Sequence, residues 1–135
     1  MTVERLRTHA HDLARAFHVR LCESTQIKPD EAFALGSGLR LVVVSPIIDE
    51  TTYAVALHEL GHLVSPMGML RAHVDGNHAR LSRDEEDAAW TWAEHVALLW
   101  TPPMAAVRAW AEGTYADKPL SANKPKQKID WKMWS

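Results

Sequence analysis

The segment from about Thr51 to Val64 constrains this chain more than any other. Ala54, Val55, Ala56, Leu57, Leu60 and Leu63 make it apolar nearly all round, Gly61 is its one breaker, and Pro66 stops it. A helix without a polar face is a buried helix. This one nevertheless carries His58, Glu59 and His62. Two imidazoles and a carboxyl are costly to bury without partners, so the fold must supply partners for them. Asp49-Glu50-Thr51-Thr52 offers residues to cap the helix start. Gly61 is expected to relieve a contact where the helix presses on the strand before it.

His58-Glu59-Leu60-Gly61-His62 is an HExxH sequence. Residues four apart on a helix differ by ~40° in azimuth and ~6 Å in height. Two imidazoles so placed can converge on one Zn²⁺. Glu59, turned ~60° from His62, stands beside the metal, where it can take a proton from a water that zinc acidifies. A catalytic zinc keeps three protein ligands and one open position. The metzincin pattern would place Gly at position 65 and His at position 68; these are Ser65 and Gly68, so that pattern is absent. Asp84-Glu85-Glu86-Asp87 supplies carboxylates instead. The apolar stripe of their helix is Ala89, Trp90, Ala93, Val96, Ala97 and Trp100, and Glu86 lies over Ala89, Trp90 and Ala93 at helical steps. Glu86 is therefore the expected third ligand, with Glu85 the runner-up. The same acidic cluster also suits a helix N-terminus.

Around these two segments the chain reads as one α+β domain over residues 1–117 and a lysine-rich tail over 118–135. Val3, Leu6, Ala10, Leu13, Phe17 and Leu21 recur at steps of three and four, which predicts an amphipathic helix of about five turns, capped by Thr2. Glu23 to Asp30 reads as a loop, and Gly36-Ser37-Gly38 as a turn. Leu39 to Val44 then reads as a strand that Pro46 ends or marks as an edge. An edge near Val42–Ser45 would suit strand addition by an extended peptide. Residues 65–83 read as a long loop, and Ser82-Arg83-Asp84-Glu85 as a capping box. The helix it opens is expected to reach Trp100, closed by Pro102-Pro103, with a short helix over Met104–Ala111. Trp131 and Trp134 are placed to pin the end of the tail.

Composition narrows the function classes. A formal net charge of −2 argues against a nucleic-acid partner, which calls for a basic stripe. Leu41–Val44 and Val96–Trp100 are the longest apolar stretches, far short of the ~20 residues of a membrane span. Met1–His9 has no apolar run of the signal-peptide kind. Cys22 is the single cysteine, so no internal disulfide forms and a reducing, cytoplasmic setting is favoured. It is expected to be a small buried hydrophobe. Among the remaining histidines, His73 and His78 lie between the ligand segments, where one would polarise a carbonyl if not simply exposed. His95 faces away from Glu86, and His9, His11 and His18 read as solvated helix positions. Trp90, Trp92, Trp100 and Trp110 read as core or groove-lining aromatics. Tyr115 is a further hydroxyl donor that the sequence does not place.

Ala54 to Leu63 with its HExxH, followed by a loop and an acidic helix before proline, resembles the ImmA/IrrE family of zinc metallopeptidases over roughly Leu13 to Pro103. The second motif of that family is similar to Glu86, Ala89, Trp92, Ala93, Leu98, Leu99 and Pro102 here. The resemblance implies a compact gluzincin-like, zincin-type fold with His58, His62 and Glu86 on zinc and Glu59 as general base. It also implies proteolysis of a regulatory protein, often a DNA-binding repressor of a phage or mobile element. Where the family usually has Asn or Asp four residues after the ligand glutamate, this chain has Trp90, which donates a hydrogen bond but cannot accept one. A second reading is a non-hydrolytic, zinc-stabilised module that binds a partner.

Overall fold

A computed structural model describes residues 1–36, 38–65 and 83–116. The expectations for His73, His78, the Ser82 cap and the tail with Trp131 and Trp134 lie outside the described residues, as does the side chain of Tyr115. Among the described residues the fold is α+β. Helices α1 (Val3–Ala16), α2 (Glu50–Val64), α3 (Arg83–Val96) and α4 (Pro102–Ala116) accompany strands β1 (Arg20–Glu23), β2 (Phe33–Leu35) and β3 (Leu41–Val44). No helix among them is long and apolar enough to cross a membrane.

α1 starts as expected, with the Thr2 side chain accepting from the Arg5 N–H at 3.2 Å. It ends at Ala16 rather than running on to Leu21. His18 takes a left-handed φ of 58°. Its N–H donates to Arg15 O, and the Val19 N–H reaches Ala14 O at 2.8 Å, which together form a Schellman stop. Buried Val19 and Ala14 supply the apolar contact of that motif. Arg40, also at positive φ, donates to the carbonyls of Phe17 and His18. Leu21 thus belongs to β1, where it alternates with the exposed Arg20 and Cys22. The cysteine faces outward, contrary to the buried position expected of it.

The sheet order is β1-β3-β2, with β1 parallel and β2 antiparallel to β3. β3 is therefore the central strand. Both of its hydrogen-bonding edges are taken over Leu41–Val43, so β3 is not the edge strand expected near Val42–Ser45. β2, for which the sequence has no clear alternation, occupies one of them. Val42 and Val44 point into the core beneath α2, and Ile47 follows them there.

α2 begins at Glu50, one residue before the expected start. The Asp49 side chain accepts from the Thr52 N–H at 2.8 Å, and Thr52 Oγ1 accepts from the Asp49 N–H at 3.1 Å. This reciprocal box satisfies two amides that the first helical turn leaves open. Tyr53, Ala54, Ala56, Leu57 and Leu60 are fully buried, as an all-round apolar helix requires. α1 and the sheet lie against it, and α3 and α4 pack on it as well.

α3 ends at Val96, four residues short of Trp100. The Leu98 N–H leaves the helical ladder and donates to Tyr53 Oη at 3.1 Å, freeing the tyrosine O–H for His9 Nδ1 at 2.6 Å. Pro102 and Pro103 then open α4 rather than only closing α3, since proline suits a first helical turn. Thr101 Oγ1 donates to Glu50 Oε1 at 2.7 Å, tying that start to the head of α2. Arg108 on α4 meets Asp87 and Glu94 of α3 and Glu112 of its own helix, at 2.6–3.0 Å. His9 and His11 are half-buried and bonded, the latter to Glu23 at 2.7 Å, rather than solvated. His18 is exposed but lies past the end of the helix.

Candidate metal centre

Two helices build the site. α2 carries His58, Glu59 and His62 on the stretch that crosses α3, and α3 carries Glu85 and Glu86 in its first turn. The crossing is close. A Cβ at Gly61 would stand 2.6 Å from the carbonyl oxygen of Ala89. The glycine therefore relieves a contact with α3, not with the strand before α2. Ala89, Trp90 and Ala93 are buried along the predicted stripe of α3, and His95 is exposed on its other side. Trp92, Trp100 and Trp110 pack against the core from partly exposed positions.

His58 Nε2 and His62 Nε2 each stand 2.9 Å from Glu86 Oε1. The two imidazoles meet edge to face, with centroids 4.5 Å apart. His58, Glu59 and Glu86 are buried, and His62 nearly so. One ligand atom each from His58, Glu59 and His62 lies within 4.8 Å of the others, a group that could hold a metal ion. Among the carboxylates nearby, Glu86 reaches both Nε2 atoms. Glu59 Oε2 is placed 3.7 Å from His58 Nδ1, the other nitrogen of that ring. Glu85 is buried beside them, and its charge bears on His62.

Burial and charge set the protonation states. Burial, helped by the neighbouring His62 charge, pulls His58 down to about 4. His62 is pushed down by burial as well. The Glu86 hydrogen bond and the charges of Glu59, Glu86 and Glu85 outweigh that and raise it. Burial drives Glu59 up to about 7, with His62 opposing and Glu86 adding to the rise. Glu86 is desolvated too, yet the hydrogen bonds from both histidines hold it well below the usual carboxylate range. Without a metal, His58 is neutral near pH 7 and Glu86 is ionised, while the surrounding carboxylates favour the protonated form of His62.

This donor set fits zinc. Two imidazole nitrogens and a carboxylate oxygen are a common ligand set of hydrolytic zinc sites. Their 2.9 Å separations fall within about half an ångström of the spacing that tetrahedral ligands at ~2.0–2.1 Å require. The sequence pointed to every one of these residues. What it did not show is the indole of Trp90, stacked on His58 with centroids 4.0 Å apart and planes 12° apart. Its place four residues after Glu86, on the same face of α3, is the signal that could have found it.

Comparison with models of protein families, with curated proteins and with solved structures finds no match to this chain.

Proposed function

We propose that the chain is a zinc-dependent peptidase with a zincin-like arrangement, as its resemblance to the ImmA/IrrE family implies. The observation that carries this reading is the meeting of His58 Nε2 and His62 Nε2 at Glu86 Oε1, with Glu59 buried alongside. His58, His62 and Glu86 would hold the zinc. When bound, the metal supplies a Lewis acid that polarises a carbonyl and acidifies water. Glu59 is the group that takes the proton from the attacking water and returns it to the leaving amine. A carboxyl tuned by burial to about 7 does both near neutral pH. In the metal-free chain Glu86 keeps its charge because two imidazoles bond it, so it would be ready as an anionic ligand and leave proton transfer to Glu59. The substrate is a protein, and the resemblance favours a DNA-binding repressor of a phage or mobile element.

The test begins with metal analysis of chain purified without chelator. Wild type and Glu59→Gln are then assayed on an unstructured protein and on repressors encoded beside the gene. Zinc in both proteins, with cleavage by the wild type alone and lost on chelation, is expected. Absence of zinc, or equal cleavage by the two, overturns the proposal. Zinc in both and cleavage by neither favours the partner-binding module.

A further inference from the structure

We propose that Trp90 is the positioning residue for His58, its indole face holding the imidazole plane in the direction of a bound metal. This rests on the metal-centre reading above and assigns a residue that the reading does not include. His58 is held at Nε2 by Glu86, while Nδ1 lies 3.7 Å from Glu59 Oε2, too far for a hydrogen bond. Metal-bound histidines commonly have the second nitrogen bonded to an acceptor, which fixes the ring. An imidazole anchored at one point can still turn about its ring torsion and swing its lone pair off the metal. Here the indole covers one face of that ring at 4.0 Å, nearly parallel. The His62 ring meets it edge to face at 68°, a second aromatic neighbour against which the ring would have to turn.

Trp90 itself cannot move aside. It is 2 % exposed, lies four residues after Glu86 and sits in the packed face between α3 and α2. Its Nε1–H is buried without a hydrogen-bond partner among the described residues. A phenylalanine would fill the core without leaving a buried donor unbonded. Indole offers a wider and more electron-rich face. An imidazole that has given its lone pair to a cation is electron-poor, so that face attracts the loaded ring more than the free one. Trp90 thus favours the metal-bound state as well as the ring orientation.

The experiment titrates the full chain with Co²⁺ and Zn²⁺, as wild type, Trp90→Phe and Trp90→Leu. Trp90→Leu is expected to lose ten- to a hundredfold in affinity, the effect typical of removing an orienting partner, and to shift the visible spectrum of bound Co²⁺. Trp90→Phe, which keeps a flat ring, should recover most of the affinity. If both variants lower the melting temperature of the metal-free chain but bind either ion like the wild type with an unchanged spectrum, Trp90 is only core packing and the proposal fails. Should Trp90→Leu not fold, proton spectra of the wild type decide. The carbon-bound ring protons of His58 should lie upfield of those of His62, in the indole ring current, with and without zinc. Their absence from that position in the loaded chain overturns the proposal. A wild type that takes up neither ion defeats the metal-centre reading itself. Tight wild-type binding with an indifferent Trp90→Leu defeats only the role given to Trp90.

Discussion

A methyl group on Gly61 would lie 2.6 Å from the carbonyl oxygen of Ala89 and 3.0 Å from its Cα. Both obstacles are backbone, so only separation of α2 from α3 would make room. The same separation sets the distance from His58 and His62 to Glu86. Alanine is the better helix former by about 1 kcal/mol, which would make Gly61→Ala stabilising on an open helix. Overpacking costs about 1–3 kcal/mol and wins here because neither helix backbone can rotate away as a side chain can. Gly61→Ala should lower the urea midpoint and weaken Zn²⁺ binding together. Unchanged zinc affinity in a folded variant would show that the crossing distance does not govern the site.

Glu85 and Glu86 are adjacent, both buried and both acidic, yet only Glu86 is bonded to the two histidines. Glu86→Gln should therefore lose zinc by more than a hundredfold, because an amide oxygen is a neutral and weaker ligand. Glu85→Gln leaves both of those bonds in place and takes a negative charge away from His62, so it should cost about tenfold or less. Competition with a chromophoric chelator measures both. The reverse ranking would transfer the ligand role to Glu85.

The site was legible in the sequence because each part of it obeys helical periodicity. The i, i+4 histidines and the Ala89, Trp90, Ala93 stripe under Glu86 needed only the helix repeat and the cost of burying polar groups. The sheet was harder to read. Leu21 satisfies the helical step from Phe17 and also the two-residue alternation with Val19, and what decides between them is the turn at His18. That turn depends on Arg40, distant in sequence, donating to the carbonyls there. β2 is three residues long and finds its place only by pairing with β3. Gly61 was recognised as a close contact, but its partner, Ala89, is set by a helix crossing that no local pattern encodes. The early end of α3 has the same origin, since the Leu98 amide is claimed by Tyr53.

Glu23 joins three parts of the fold. Its Oε1 accepts the Ile47 N–H at 2.8 Å, and its Oε2 meets Arg7 Nε and His11 Nε2, each at 2.7 Å. Burial alone would raise its pKa. The Ile47, Arg7 and His11 bonds outweigh that and set it below 4.5. A carboxylate with a depressed folded value contributes its full stability above pH 4.5 and loses it as the pH falls through the lower folded value. Glu23→Gln should be about 1–2 kcal/mol less stable near pH 7, and its stability should fall less steeply below pH 4.5. Urea midpoints measured from pH 7 to 3 test this, and parallel acid limbs for the two proteins would count against it.

Glu59 has the opposite sign. Burial raises its folded value from 4.5 to about 7, so the metal-free fold prefers the protonated carboxyl. That preference is present in full below pH 4.5 and is lost as the pH rises through about 7, where a charge must be held in an apolar helix. Glutamine is neutral throughout and nearly the same shape. Metal-free wild type and Glu59→Gln should therefore unfold alike below pH 4.5, diverge between pH 4.5 and about 7, and keep a constant gap above that. At pH 8 the variant should be the more stable by about 3 kcal/mol. A bound cation would offset the buried negative charge, so the gap should narrow when zinc is added. Chemical denaturation at pH 4.5 and 8, with and without zinc, gives the four measurements required. An equal gap at both pH values would mean that the residue is not desolvated as its burial demands. A gap that ignores zinc would separate Glu59 from the metal it is proposed to serve.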